Sequence, residues 1–256
     1  MTDVQTTLLL LAIGAATGIT TGLTGAGMSV FVASLLLLGA PIREVIGLSF
    51  AITLANAAIA AIPYARKGNI PLFPAITMSL SAAVMVLPGY RISHIFSSSV
   101  LNWMIIAGLF AFGVKLSFFS GAAAVKTSNR TTRLPVAYLI IPGVVAGGIM
   151  GILGGGGALL MSLMLIFIFR LPVHKALGIT FVVMAVASLP GLYCYSRDGF
   201  LSFHAAAALI IPSTLFSFLA ARVANSLPER KIKAVLGVYL LVISTFLIVK
   251  ETGIVF

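Results

Sequence analysis

Apolar residues run in ten long stretches, five on each side of a hydrophilic segment at 120–133. In the first half they cover 4–22, 26–40, 45–63, 71–90 and 99–119; in the second, 134–152, 156–169, 173–195, 201–221 and 232–250. Most approach the roughly 20 residues that carry a helix across a hydrocarbon core. Two are too short: about 14 helical residues at 26–40 or 156–169 reach ~21 Å of a ~30 Å core. Each short stretch begins at a Gly-rich break. The pattern predicts helices throughout, with 1–119 as a first membrane unit, 120–133 as a linker and 134–256 as a second unit.

The two units repeat one another. Gly22-Leu23-Thr24-Gly25-Ala26-Gly27 is answered by Gly151-Ile152-Leu153-Gly154-Gly155-Gly156. Pro41, Gly47 and Phe50 are answered by Pro172, Gly178 and Phe181, then Tyr64, Arg66, Gly68 and Arg91 by Tyr195, Arg197, Gly199 and Arg222. These later pairs share one offset of 131 residues, and the Gly runs sit two residues closer. Duplication in an apolar chain, with short Gly-interrupted segments at matching places, points to a carrier whose binding site lies between two repeats.

Composition excludes a soluble domain. Sixty per cent of residues are hydrophobic and 8% charged, with a mean hydropathy of +1.18, where a soluble domain has about a quarter of its residues charged. The net charge of +11 does not signal nucleic acid, because the basic residues are scattered between apolar stretches. The single cysteine, Cys194, excludes a disulfide framework. With Asp3 and no Lys or Arg before it, the first apolar run is expected to be a retained membrane segment, not a secretory leader.

Charge also chooses a topology. If 4–40 and 134–169 each cross once, the 16 Lys and Arg split evenly between the two sides. If each Gly-rich break is a hairpin tip, twelve fall on one side and only Arg43, Arg91, Arg197 and Lys250 on the other, as the positive-inside rule requires. The expected fold is therefore an all-α polytopic membrane protein of two inverted-topology repeats. Each repeat holds a Gly-broken hairpin plus three transmembrane helices, with a cytoplasmic linker and both termini on the non-cytoplasmic side of a bacterial inner membrane.

These residues resemble the TauE/SafE sulfite and organosulfonate exporters. The resemblance rests on both Gly-rich breaks and on Ala220-Ala221-Arg222-Val223, Leu227-Pro228-Glu229-Arg230, Lys233 and Leu236-Gly237, which look like that family's closing motif. It implies secondary transport of small anions, sulfite or an organosulfonate among them.

A helix starting at a Gly-rich break presents unpaired N–H groups and a partial positive charge, so an anion can be held without a charged side chain. The expected site comprises Thr24, Gly25, Gly27 and Ser29 from the first break and Gly154, Gly155 and Gly156 from the second. Ser49, Asn56 and Thr180 are expected to complete one pocket between them. Ser49, Thr53 and Asn56 share a helix face by spacing. The bland alternatives are close packing for the glycines and interhelical hydrogen bonds for the polar stripe. Arg91 and Arg222, at matching helix ends, would attract anions at the two mouths or simply mark topology.

No carboxylate falls within an apolar stretch, so a relay of protons through an intramembrane Asp or Glu is not expected. No cofactor or metal is expected, since His94, His174 and His204 lie near stretch ends. The expected partners are a small anion and the lipid bilayer, with no nucleic acid; a homo-oligomer is left open. An anion channel is the alternative to a carrier. An intramembrane hydrolase is the competing class, and it lacks a His at membrane depth to activate Ser29, so an enzyme is not expected.

Overall fold

The computed structural model describes residues 3–25, 27–97, 136–199 and 203–227, with isolated positions between 99 and 110 and between 241 and 249. The last apolar stretch of each half, the linker and the closing motif beyond Leu227 fall mostly outside them. The described residues form α1 (Asp3–Thr24), α2 (Met28–Leu37), α3 (Ile42–Arg66), α4 (Leu72–Ser93), α5 (Val136–Leu153), a 3-10 turn (Gly154–Gly156), α6 (Gly157–Phe167), α7 (Val173–Arg197) and α8 (Phe203–Ala224), with no strand among them. Among the described residues, five helical spans are long and apolar enough to cross a membrane: α3, α4, α5, α7 and residues Ala206–Ala224 of α8. With 10 and 11 residues, α2 and α6 reach only about 15–17 Å at 1.5 Å per residue, half a core.

Large apolar side chains also line the outer faces. Leu72, Ile76, Leu80, Val84 and Leu87 of α4 point outward, as do Ile211, Leu215 and Leu219 of α8. A belt of that kind needs lipid against it, and the protein is integral to a membrane.

Small residues set the helix pairs. Gly14, Gly18 and Gly22 of α1 lie against the backbone at Leu209, Ser213 and Ser217 of α8, in that order. Gly143, Gly147 and Gly151 of α5 lie likewise against Met78, Ala82 and Val86 of α4. Both pairs therefore run parallel, at distances where a methyl group would strike the facing backbone.

The centre of the bundle is α3 against α7, and these run in opposite directions. Phe50 meets Tyr195, Tyr64 meets Phe181, and Gly178 lies beside Asn69. The pairings recur between the halves: α1 packs on α8 as α5 packs on α4, and α3 on α8 as α7 on α4.

Candidate functional site at the two glycine breaks

Each break turns on one glycine. Gly25 has φ +72° and Gly154 φ +75°, a left-handed conformation that a side chain resists. They hold equivalent places in the two halves. Gly25 accordingly ends α1, its N–H donating to the Thr21 carbonyl at 2.7 Å, and Gly154 opens the 3-10 turn into α6. Gly22 and Gly151, three residues earlier, are packing glycines within their helices. The two readings of the Gly runs thus apply to different glycines of the same run.

The second break seats on α3. The Gly155 N–H donates to Ser49 Oγ at 3.2 Å, and the Ser49 hydroxyl donates to the Ile46 carbonyl at 2.6 Å. A Cβ built on Gly154 would strike Ser49; one built on Gly155 would strike Met28 and sit 2.5 Å from Thr53 Oγ1. Met28 is the first residue of α2, so the two breaks meet. They do so beside Thr53, near the middle of α3.

Thr53 is fully buried, and its hydroxyl has no hydrogen-bond partner. A hydroxyl in that condition costs about 1–3 kcal/mol. Thr17 of α1 is in the same condition one turn from Thr21, and a Cβ on Gly27 would strike both the Thr17 carbonyl and the Thr21 hydroxyl. The contacts around the breaks thus include backbone, hydroxyls, the Met28 side chain and the apolar ends of Ile46 and Leu177. Among the described residues, none of these contacts is to a charged side chain.

The expected side chains are only partly gathered. Ser49 lies at the second break. Asn56 lies further along α3 and faces α8: its Oδ1 accepts from Ser213 at 3.0 Å and Thr214 at 3.2 Å, while its buried Nδ2 has no partner. Thr180 donates to the Ala176 carbonyl at 2.8 Å, and the structure does not bring it to Ser49. Ser49 adjoins Phe50 and Thr180 adjoins Phe181. The antiparallel packing of α3 and α7 sends these equivalents to opposite ends of the contact, roughly 20 Å apart at 1.5 Å per residue. One pocket holding Ser49, Asn56 and Thr180 is therefore not formed. The side chains of Thr24 and Ser29 lie outside the described ones. Gly156 closes the 3-10 turn.

Arg91 and Arg222 are exposed in the last turns of α4 and α8. The α4 C-terminus lies with that of α7 and the α8 C-terminus with that of α3, so the two arginines stand at opposite ends of the bundle. The sequence reading missed Thr17, Thr21 and Met28 as contacts of the breaks. It also missed the full packing stripes, although a glycine every fourth residue in α1 and α5 was there to be read.

A family model described as "Sulfite exporter TauE/SafE" matches residues 10–247. A shorter match is to the "Probable membrane transporter protein YdhB" of Bacillus subtilis (strain 168), 42% identical over 53 residues. That stretch is 21% of this chain and 22% of that relative. No solved structure matches the chain.

Proposed function

The chain belongs to the TauE/SafE sulfite exporter family, and from that premise we propose that it carries a small anion, sulfite or an organosulfonate, through the junction of its two glycine breaks. That it is a membrane transporter and not an enzyme follows from the family. The anion and the route are our reading.

The observation that carries it is the Thr53 hydroxyl, buried without a partner and facing Gly155 where the second break meets the first residue of α2. Two helices begin at this junction, each contributing roughly half a positive charge at its N-terminus. Neutral donors and partial charges offset part of the cost of stripping water from an anion. They also hold it loosely enough for release. Gly25, Gly27, Gly154, Gly155, Gly156, Ser49 and Thr53 form the proposed route, with Met28 across it. Met28 is the flexible element, since an unbranched thioether repacks at little cost.

Two inverted repeats are the architecture this function uses. The opposed directions of α3 and α7, which are equivalent by sequence, support that reading. With the charge bias of the loops, it gives both termini outside and residues 120–133 in the cytoplasm of a bacterial inner membrane.

The test is uptake into proteoliposomes of sulfite and methanesulfonate against acetate, for the parent and for Gly155→Val. The expected result is sulfur oxyanion uptake that the valine abolishes in a protein that still inserts. Normal uptake by the inserted variant would remove the breaks from the route, and preference for acetate would remove the substrate class.

A further inference from the structure

One end of the bundle carries a group of side chains that the transport route does not use. Arg43, in the first turn of α3, places Nη1 2.7 Å from Nδ1 of His94, which caps α4. On the other side of the ring, His94 Nε2 lies 3.3 Å from Asp198 Oδ2 at the end of α7. The Tyr90 hydroxyl donates to that same oxygen. The groups facing the imidazole are thus Arg43 from α3, Asp198 and Tyr195 from α7, and Tyr90 from α4 itself.

These contacts fix the proton. A guanidinium has donors and no acceptor, so Nδ1 must accept from Arg43. The ring in this arrangement is therefore neutral, with its one proton on Nε2, directed at the Asp198 carboxylate. Adding a second proton reverses the first contact and reinforces the second. Nδ1–H would then face an N–H of Arg43, two cations would stand within hydrogen-bond distance, and the Asp198 contact would become an ion pair. Protonation would thus break the Arg43 contact that joins α3 to α4 and keep the Asp198 contact that joins α4 to α7.

At the opposite end the equivalent positions are arranged otherwise: the residue matching Arg43 is His174, in the first turn of α7, and the residue matching His94 is an amide, Asn225. Lys67 and Asn225 stand 131 residues from Asp198 and His94, respectively. Lys67 Nζ donates to the Asn225 carbonyl at 2.9 Å and to Ser226 Oγ at 3.0 Å, and Asn225 Nδ2 donates to the Pro63 carbonyl at 2.9 Å. An imidazole is the side chain whose charge ordinarily changes between pH 5 and 8; an amide has no such change. The joint at His94 sets an imidazole between a guanidinium and a carboxylate, where the other copy has the Asn225 amide.

We propose that His94 is a proton-binding site that holds the first turn of α3 when neutral and releases it when protonated. The helix it holds is the one that carries Ser49 and Thr53. A second line reaches the breaks as well: the Tyr195 hydroxyl lies 3.0 Å from Ser93 and 3.4 Å from the carbonyl oxygen of Gly151, just before Gly154. The proposal stands whatever the cargo, since it rests on the joint alone.

Spin labels at Ala40→Cys, beside the start of α3, and Ile95→Cys, beyond α4, read the joint directly in the full chain with Cys194 replaced. In nanodiscs the parent should give one distance at pH 8 and a second, longer one at pH 5. His94→Gln keeps an acceptor for Arg43 and a donor for Asp198 but cannot take a proton, so it should keep the pH 8 distance at both values. His94→Lys, a permanent donor, should show the longer distance at both. Nitrogen NMR of histidine-labelled parent at pH 8, assigned with His94→Gln, should find His94 with its proton on Nε2. Identical parent distances at pH 8 and 5, a pH response that survives in His94→Gln, or a proton on Nδ1 at pH 8 would each overturn the proposal.

Discussion

The ring of Phe50 in α3 lies 5.6 Å from the ring of Tyr195 in α7, and the contact has a twin. The residue equivalent to Phe50 is Phe181 and that equivalent to Tyr195 is Tyr64, and these lie 5.4 Å apart. Exchanging the halves exchanges the contacts. All four side chains are almost wholly buried, so the two ring pairs clamp the central helices at both ends. Phe50→Ala and Phe181→Ala should therefore lose similar stability, about 3–5 kcal/mol each, measured by reversible unfolding in mixed micelles. Loss from one with near silence from the other would mean that the halves are not mechanically equivalent.

The glycine stripes predict a second contrast. A methyl group at Gly18 or Gly147 would strike the backbone of the facing helix, whereas at Gly148 its nearest contact is Met85 Cγ at 3.7 Å. Gly18→Ala and Gly147→Ala should each destabilise by about 1–3 kcal/mol as the helices are forced apart. Gly148→Ala should be nearly neutral. Thermal inactivation in detergent ranks the three, and equal loss from all would show that the stripes do not set the spacing.

Much of this architecture was legible, and for a physical reason. Apolar length and Gly breaks are local properties, so 26–40 and 156–169 announced the short helices Met28–Leu37 and Gly157–Phe167. What failed was placement that depends on helix direction. Ser49 and Thr180 are equivalent in sequence, which suggested one pocket; opposed helices carry them apart. Asn56 read as a lining residue because its partners on α8, Ser213 and Thr214, lie far along the chain. His94 and Asp198 were each recognised at a helix end, but their pairing needs α4 and α7 to finish side by side. Which glycine turns and which packs was equally hidden, since Gly22 and Gly25 differ in backbone path and not in residue type.

The charge bias predicts orientation. With Cys194 replaced, a cysteine at Thr2 should be labelled from outside intact cells by a membrane-impermeant maleimide, and one at Ser128 only after permeabilisation. Labelling of Ser128→Cys in intact cells, with none at Thr2→Cys, would reverse the assignment.

Met28 and Gly155 predict a rescue. Gly155→Ala drives a methyl group into Met28 and against Thr53, and should cut uptake at least about tenfold, equivalent to 1.4 kcal/mol. Met28→Ala removes the atoms it strikes, so the double variant should recover part of that loss. Strictly additive losses would mean that the two breaks do not share the space where they meet.

The last prediction separates a functional hydroxyl from a structural one. Thr53→Val keeps the shape of the side chain and removes only the oxygen that has no partner. Burial of that oxygen already costs about 1–3 kcal/mol, so the valine variant should match or exceed the parent in thermal stability. Uptake of sulfite or methanesulfonate into proteoliposomes should nevertheless fall about tenfold, the effect of losing roughly 1.4 kcal/mol of interaction with the cargo. Thr53→Ser, which keeps the hydroxyl and loses a methyl group, should show the reverse, slightly less stable and still active. Stability and uptake falling together in the valine variant would make Thr53 part of the scaffold. Unchanged uptake in a stable valine variant would move the anion's path away from the junction of the breaks.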